Sequence, residues 1–265
     1  MDTIRRGALA YKEILIDKQE GVATITFNRP DKLNAMTDES WAGMRDIVGE
    51  LNQDPEVRAL VITGAGRGFC AGHDVSDIST MGEQSVQGMR DMIPSPTIIR
   101  CGKPTIAAVN GVTSGGGLGL ALACDIRIAS DQARFNSSFI LRGLVPDVGV
   151  SYLLPRVIGL PKALELMYTG EIIGAQAALE LGMVNQVVPH EELMPAALAL
   201  AQKLAKGPHL ALALTKRLVY HGVAPDIEEH CDLEIYLQRL CIGSEDFREG
   251  VQSFFERRQP AFKGR

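Results

Sequence analysis

An α/β body followed by a helical C-terminal part is the fold class that this sequence predicts, and three observations carry the prediction. Residues 11–29 alternate apolar and polar side chains on both sides of Glu20-Gly21, as a β-hairpin does. The runs 59–63 and 105–109 are short, apolar and uncharged, which is typical of buried strands. Beyond residue 155 the strand signal ends, and helical patterns follow one another to residue 258. We therefore divide the chain into an α/β part, residues 1–190, and a helical part, residues 191–265.

Helix boundaries follow from residues that favour or interrupt helices. Thr37 is the predicted N-cap of the first helix, because two acidic residues follow it and apolar side chains then recur at helical spacing through residue 52. Ser244 is the predicted N-cap of the last helix for the same reasons. Residues 83–100 predict a helix that Pro94 and Pro96 interrupt.

Composition and charge exclude several classes of protein. The 265 residues are 46% hydrophobic and carry a net charge of −5, which argues against a general nucleic-acid binder. No apolar run approaches the roughly 20 residues of a membrane span, and the N-terminus lacks the apolar segment of a signal peptide. The five cysteines show neither C-x-x-C nor Cys/His ligand spacing, so a disulfide framework and a zinc site are not expected. A cytoplasmic protein is predicted.

A glycine run follows the predicted strand 105–109. Asn110-Gly111 is a turn signal, and Gly115, Gly116 and Gly117 precede an apolar stretch, 118–123, of helical character. The N-terminus of a helix offers backbone N–H groups without an acceptor, and glycines allow a substrate oxygen to approach them. Such donors stabilise negative charge that develops during a reaction. The same glycines would also suit a tight turn under close packing, and the run alone does not decide between these interpretations.

Common motifs for nucleotides, nucleophiles and metals are absent. The P-loop pattern does not occur, and Leu120 stands where the third glycine of G-x-G-x-x-G would be. There is no G-x-S-x-G and no H-E-x-x-H. A dinucleotide fold, a serine hydrolase of that type and a metalloprotease are therefore disfavoured.

Several short motifs, each weakly specific, occur in a joint order that is very specific. They are Asn28-Arg29-Pro30, Lys32-Leu33-Asn34-Ala35, Val61-Ile62-Thr63-Gly64, Gly68-Phe69-Cys70-Ala71-Gly72-His73-Asp74, Ala107-Ala108-Val109-Asn110-Gly111, Ala121-Leu122-Ala123-Cys124-Asp125 and Phe255-Glu256-Arg257-Arg258-Gln259-Pro260-Ala261-Phe262. In this order the sequence resembles the enoyl-CoA hydratase/isomerase family, the crotonase superfamily, over nearly the whole chain.

The resemblance implies a crotonase-like spiral of ββα units, with C-terminal helices that build homotrimers, often paired as hexamers. It implies an acyl-CoA substrate whose thioester carbonyl lies between the backbone N–H groups of His73 and Gly116, and no cofactor beyond the coenzyme A of the substrate. The expected substrate-binding residues are Ala71, His73, Asp74, Val75, Ser76, Gly116 and Phe139. The imidazole of His73 is as well explained by a solvated loop position as by a substrate contact.

Two positions depart from the hydratases of the family. Those enzymes carry two glutamates, and the matching positions here are Gly119 and Phe139. Neither residue can transfer a proton, whereas hydration needs a water that such groups hold and activate. Ordinary hydratase activity is therefore not expected.

Asp147 supplies a carboxylate elsewhere. It lies in Gly143-Leu144-Val145-Pro146-Asp147, where the resemblance places the acidic residue of double-bond isomerases and of ring-epoxide isomerases that act on phenylacetyl-CoA derivatives. A single carboxylate can carry out a 1,3-proton shift, and apolar neighbours would raise its pKa toward neutrality. The alternative is that Asp147 only caps a helix or a turn after Pro146.

The preferred hypothesis is an enoyl-CoA isomerase that uses Asp147. The alternatives are a hydratase with a non-standard acid/base set and a non-catalytic acyl-CoA-binding subunit. A dehalogenase is less favoured, because its branch has tryptophan at position 139 and the single tryptophan here is Trp41.

Asp125 is interpreted as structural. Residues 248–265 carry five basic and two acidic side chains and either contact coenzyme A phosphates or form a solvated end.

Overall fold

The computed structural model describes residues 13–74, 92–221 and 227–265. It begins with the predicted hairpin, in which β1 (Ile14–Gln19) and β2 (Val22–Phe27) pair antiparallel. Glu20 and Gly21 form the turn with positive φ angles of 49° and 79°. Helix α1 (Asp38–Gln53) follows, and the Thr37 side chain accepts a hydrogen bond from the backbone N–H of Ser40 at 3.2 Å, which confirms the predicted N-cap.

Two sheets organise the α/β part. The larger sheet has the order β1-β2-β3-β5-β7-β10, where β3 is Ala59–Gly64, β5 is Thr105–Val109, β7 is Ile126–Ser130 and β10 is Gln186–Val188. From β2 to β10 its neighbouring strands pair parallel. The smaller sheet has the order β4-β6-β8-β9, with β4 at Gly68–Cys70, β6 at Val112–Ser114, β8 at Arg134–Asn136 and β9 at Ile173–Gly174.

A ββ step recurs along the chain, as the resemblance implied. From β3, β5 and β7 of the larger sheet, the chain passes directly to β4, β6 and β8 of the smaller one. Helix α2 (Ser95–Arg100) comes after the first step and α3 (Gly116–Ala123) directly after the second. The strands of the smaller sheet were not predicted, because two or three residues are too few to show an alternating pattern. For the same reason, the prediction that strands end before residue 155 is wrong, since β9 and β10 lie beyond it.

The remaining helices complete the described chain. They are α4 (Val150–Ile158), α5 (Leu160–Thr169), α6 (Ala175–Glu180), α7 (Leu193–Ala205), α8 (His209–His221), α9 (Ile227–Ile242) and α10 (Glu245–Glu256). Ser244 caps α10, as predicted, by accepting from the backbone N–H of Phe247 at 3.0 Å.

Two proline positions correct the predictions. Pro96 does not interrupt a helix but lies in the first turn of α2, where its missing N–H costs no hydrogen bond. Pro155 lies inside α4, which the sequence did not predict because a proline normally ends a helical pattern. Residues 83–91 of the predicted helix lie outside the described part of the chain.

The central strands of the larger sheet, β3 and β5, are buried on both faces. Leu60 and Ile62 belong to the main core, whereas Val61 packs in a second cluster with Ala197 and Ala201 of α7. Helix α7 therefore covers the second face of the sheet. The division of the chain into two parts at residue 190 stays a prediction. Apolar side chains are exposed on α9 and α10, at Ile235, Tyr236, Leu240, Ile242, Phe247, Val251, Phe254 and Phe255. Among the described residues, no helix has the length and apolar character to cross a bilayer.

Candidate active site

The glycine run places the N-terminus of α3 in the interior. Every residue of α3 is buried, and Gly116 is its first residue. A methyl group on Gly117 would come within 2.0 Å of the carbonyl oxygen of Cys70, so this glycine permits close contact between α3 and β4. Close packing therefore explains Gly117 and brings the start of α3 beside β4, while the role of its backbone N–H groups as donors to a substrate oxygen stays a prediction.

His73 follows β4 and lies next to this N-terminus. The residues on either side of His73 hydrogen-bond to Met36: the N–H of Met36 donates to Gly72 O at 2.8 Å, and the N–H of Asp74 donates to Met36 O at 2.9 Å. Met36 and His73 thus pair as residues of two parallel strands do, and in this pattern the N–H of His73 faces away from Met36. A methyl group on Gly72 would lie 3.3 Å from the backbone nitrogen of Gly116, so the two predicted donors belong to adjacent segments.

An arginine holds the segment that carries His73. The guanidinium of Arg29 donates to Asp74 Oδ2 at 2.9 Å and to Ala35 O at 2.6 Å, and it forms an ion pair with Glu13 at 3.0 Å. Asp74 is buried. Its carboxylate thus takes part in the scaffold of the site.

The side chain of His73 is not a solvated loop group. Only 14% of it is exposed, and Nε2 lies 3.1 Å from Oδ1 of Asp38, in the arrangement of an ion pair rather than an aligned hydrogen bond. The ring also stacks on Trp41, with 6.3 Å between centroids and 29° between planes. The interpretation of this imidazole as a solvated side chain is therefore wrong.

Trp41 is a residue of the site that sequence reasoning assigned only to the core. A methyl group on Gly116 would lie 2.8 Å from Cη2 of the indole, so the ring packs against the start of α3. Its Nε1 is buried and has no hydrogen-bond partner among the described residues. Helical spacing placed Trp41 on the buried face of α1, but nothing local indicates that this face meets Gly116.

Asp147 occupies a strained turn before α4. Val148 has a φ of 49°, which is rare for a β-branched residue, and Gly149 has a φ of 84°. Ser95 Oγ donates to Val148 O at 2.6 Å, and the N–H of Val150 donates to Asp147 O at 2.9 Å. These hydrogen bonds fix the carbonyl groups of Asp147 and Val148 in the turn. Strain of this kind concentrates at functional sites.

The carboxylate of Asp147 does not cap α4. The N-cap residue is Gly149, and no side chain caps this helix. Burial raises the pKa of Asp147 above its ordinary value, while the charge of His73 and the backbone N–H of Asp147 oppose that rise. Of the alternative predicted for Asp147, a cap on a helix or on a turn after Pro146, the helix cap is therefore wrong.

The two positions that depart from the hydratases hold no ionisable group. A methyl group on Gly119 would come within 2.4 Å of Val148 O, so the turn that carries Asp147 closes this position to any side chain. Phe139 is buried in the core. Ala71 lies at the edge of the site, with its N–H donating to Leu33 O at 3.0 Å. Val75 and Ser76 lie outside the described residues.

Asp125 is structural, as predicted. Its Oδ2 accepts from the N–H of Thr105 at 2.8 Å and from Thr105 Oγ1 at 2.9 Å, and it pairs with Lys216 Nζ at 2.9 Å. The ion pair between Lys216 and Asp125 ties α8 to the start of β5.

In the basic C-terminal segment, Arg258 and Arg265 pair with glutamates of α10. Among the described residues, no cluster of three histidine, cysteine or acidic residues is suited to a metal ion.

Comparison with known proteins gives one consistent result. The family model for enoyl-CoA hydratase/isomerase matches residues 17–265. The chain is 40% identical over 258 residues to 1,2-epoxyphenylacetyl-CoA isomerase of Escherichia coli, covering 95% of this chain and 98% of the relative. It is 35% identical over 257 residues to crotonyl-CoA hydratase of Syntrophomonas wolfei, covering 96% and 99%. A crystal structure of a putative enoyl-CoA hydratase from Streptomyces coelicolor superposes with a TM-score of 0.93 at 36% identity, covering 100% and 98%.

Proposed function

Because the chain belongs to the enoyl-CoA hydratase/isomerase family, we propose that it isomerises the double bond of an enoyl-CoA thioester through an enolate. One observation carries the choice of isomerisation. The turn of Asp147 packs on the start of α3, since a methyl group on Gly116 would lie 3.1 Å from Val148 Cγ2, whereas positions 119 and 139 offer no acid. Among the described residues, the site would thus have a carboxylate at Asp147 and none at the two positions of the hydratase glutamates.

The thioester carbonyl is proposed to bind between the backbone N–H groups of His73 and Gly116. Removal of a proton from C2 moves negative charge onto the carbonyl oxygen, and two preorganised donors stabilise it there. One such donor typically lowers the barrier by about 3–4 kcal/mol. Ala71, Asp74 and Phe139 would shape the binding site, and the substrate's own coenzyme A is the only cofactor in this proposal.

Asp147 is proposed to move the proton. As a base it removes a proton from C2 of a 3-enoyl thioester, and the electrons shift through C2 to the carbonyl oxygen. As an acid it returns that proton at C4, so the double bond moves to C2–C3 and no water is consumed. The raised pKa of Asp147 suits both steps, because a general acid/base works best when its pKa is near the working pH.

Hydration is the second candidate, because relatives at similar identity carry hydratase names. In that case Asp147 would have to hold and activate the water without the two glutamates. A non-catalytic acyl-CoA-binding subunit is the third, and it would have no use for a half-buried carboxylate beside the oxyanion donors.

The test compares two substrates with the purified protein: a 3-enoyl-CoA and the corresponding 2-enoyl-CoA, with products resolved by NMR and mass spectrometry. We expect conversion of the first without hydration of the second, and a loss of about 10²–10⁴ in rate for Asp147→Asn. Asp17→Asn, on the exposed strand β1, is the matched control and should keep full activity. Rapid hydration of the 2-enoyl-CoA, or full activity of Asp147→Asn, would contradict the proposal.

A trimer or a dimer of trimers is also proposed, through the exposed apolar side chains of α9 and α10. Light scattering coupled to size-exclusion chromatography measures the mass directly. A monomer at micromolar concentration would refute this assembly.

A further inference from the structure

We infer that the indole N–H of Trp41 is a third hydrogen-bond donor of the site, and that its acceptor is the carbonyl oxygen of the bound thioester. The inference rests on the proposed function, in which this oxygen lies between the backbone N–H groups of His73 and Gly116. Trp41 adds a side chain to a site that the proposed function builds from backbone donors and Asp147.

The indole nitrogen of Trp41 is a buried donor without an acceptor. Only 4% of the residue is exposed, and Nε1 has no hydrogen-bond partner among the described residues. An indole N–H can donate but not accept, and an unpaired donor in the interior costs stability. Buried polar groups of native proteins are rarely left unpaired, so this one calls for an acceptor that a ligand brings.

The edge of the indole that carries this N–H faces the start of α3. A methyl group on Gly116 would lie 2.8 Å from Cη2 and 3.0 Å from Cζ2 of the ring. Cζ2 is joined to Nε1 through a single ring atom, so the N–H leaves the ring on the side that meets Gly116. The imidazole of His73 stacks on the indole, with 6.3 Å between the ring centroids. The indole therefore lies against both segments whose backbone N–H groups are the proposed oxyanion donors.

Acceptors of the protein near this edge have other donors. The turn before α4 meets the same position, since Val148 Cγ2 would lie 3.1 Å from the methyl group on Gly116. The carbonyl oxygen of Val148 accepts from Ser95 Oγ at 2.6 Å, and Asp38 Oδ1 lies 3.1 Å from Nε2 of His73. The acceptor for the indole is thus left to the substrate, whose carbonyl oxygen is the atom proposed to enter between these segments.

Trp41 is held in place before any substrate binds. It belongs to α1, whose first turn is fixed by the Thr37 cap, and its backbone N–H donates to Thr37 O at 2.9 Å. A donor that is fixed in advance stabilises developing charge without reorganisation. The hydrogen bond strengthens as C2 loses its proton and charge moves onto the carbonyl oxygen. It should therefore act more on the rate of enolate formation than on binding.

The first experiment uses the fact that Trp41 is the single tryptophan of the chain. Protein labelled with ¹⁵N in its indole gives one indole N–H signal by NMR. Butyryl-CoA is compared with S-butyl-CoA, a thioether that has the same alkyl chain and coenzyme A but no carbonyl oxygen, each at saturation. We expect a downfield shift of the indole proton with butyryl-CoA that S-butyl-CoA does not produce. The same response to both ligands would overturn the inference.

The second experiment removes only the N–H. Tryptophan is replaced biosynthetically by benzothienylalanine, which has sulfur in place of the N–H, and exchange of the C2 protons of butyryl-CoA in D2O is followed by NMR. The matched control is 4-fluorotryptophan, which keeps the N–H and places fluorine away from the edge that faces Gly116. We expect exchange to be about 10²-fold slower with benzothienylalanine and unchanged with 4-fluorotryptophan. Binding of S-butyl-CoA should be the same in all three proteins.

Thermal unfolding separates this role from a structural one. A donor without a protein partner adds nothing to folding, so the benzothienylalanine form should unfold at or above the temperature of the natural chain. A lower unfolding temperature, or exchange at the full rate, would overturn the inference. If that form keeps full exchange while Asp147→Asn loses it, the proposed function stands without the Trp41 donor. If Asp147→Asn exchanges at the full rate, the proposed function fails, even where the indole signal shifts as expected.

Discussion

Replacing Gly119 by alanine is expected to displace the turn that carries Asp147. The new methyl group would lie 2.4 Å from Val148 O and 3.0 Å from both the carbonyl carbon and Cβ of Val148. An ordinary carbon–oxygen contact is about 3.3 Å or longer, so the backbone must move by close to one ångström.

The turn has little freedom to accommodate that movement. Val148 already has an unfavourable φ of 49°, and its carbonyl oxygen accepts from Ser95 Oγ at 2.6 Å. Overpacking of a buried site typically costs 1–3 kcal/mol, and a clash with backbone belongs at the upper end, at about 3 kcal/mol. For a chain of this size, that corresponds to a decrease in Tm of about 6–12 °C.

The assay combines thermal unfolding with exchange of the C2 protons of butyryl-CoA in D2O, which NMR follows and which reports enolate formation. We expect Gly119→Ala to lose both stability and exchange activity, because Val148 and Asp147 move together. Gly49→Ala is the matched control: an added methyl group there meets nothing within 4 Å, and the position lies inside α1. It should gain about 0.5–1 kcal/mol from the better helix propensity of alanine.

Gly119→Glu would restore the glutamate that hydratases carry at this position. Because the site has no room even for a methyl group, we expect a larger loss of stability and no gain of hydratase activity. If Gly119→Ala unfolds at the same temperature as the unmutated protein and remains active, the turn is not packed on Gly119 as described, and position 119 has room for the side chain that a hydratase needs.

Three further predictions concern stability and reactivity. Lys216→Met should destabilise the chain by about 3 kcal/mol in urea unfolding, because it leaves the partly buried Asp125 without its cation; unchanged stability would show that the pair is only a surface contact. Since burial raises the folded-state pKa of Asp147, the folded protein binds this proton more tightly than the unfolded chain, and stability falls as pH rises from about 4 through the raised pKa. Asp147→Asn should therefore be more stable than the unmutated chain at neutral pH and equal to it in acid, whereas a constant difference would contradict this. A thiol reagent should label the exposed Cys231 in the native protein, and Cys70, whose pKa is raised to about 12, only after unfolding, as peptide mapping will show.

Much of the fold follows from local patterns. The hairpin, the strands β3 and β5 and the caps at Thr37 and Ser244 all depend on residues close to one another in the sequence, and sequence reasoning identified them. It missed β4, β6 and β8, which are three residues long and stable only within their sheet. It also missed α4, because tertiary packing overrides the tendency of Pro155 to end a helix.

Residue identity by itself determined what chemistry this chain can supply: a glycine run at a helix start, a single carboxylate at position 147, and no acid at positions 119 and 139. The tertiary structure decided how these residues are placed. It places the half-buried side chain of His73 against Asp38 and Trp41 of α1, sets Trp41 against Gly116, and closes position 119 with the backbone of Val148. These contacts join segments far apart in the chain, and no periodicity or spacing encodes them, because they arise only when the helices and strands pack together.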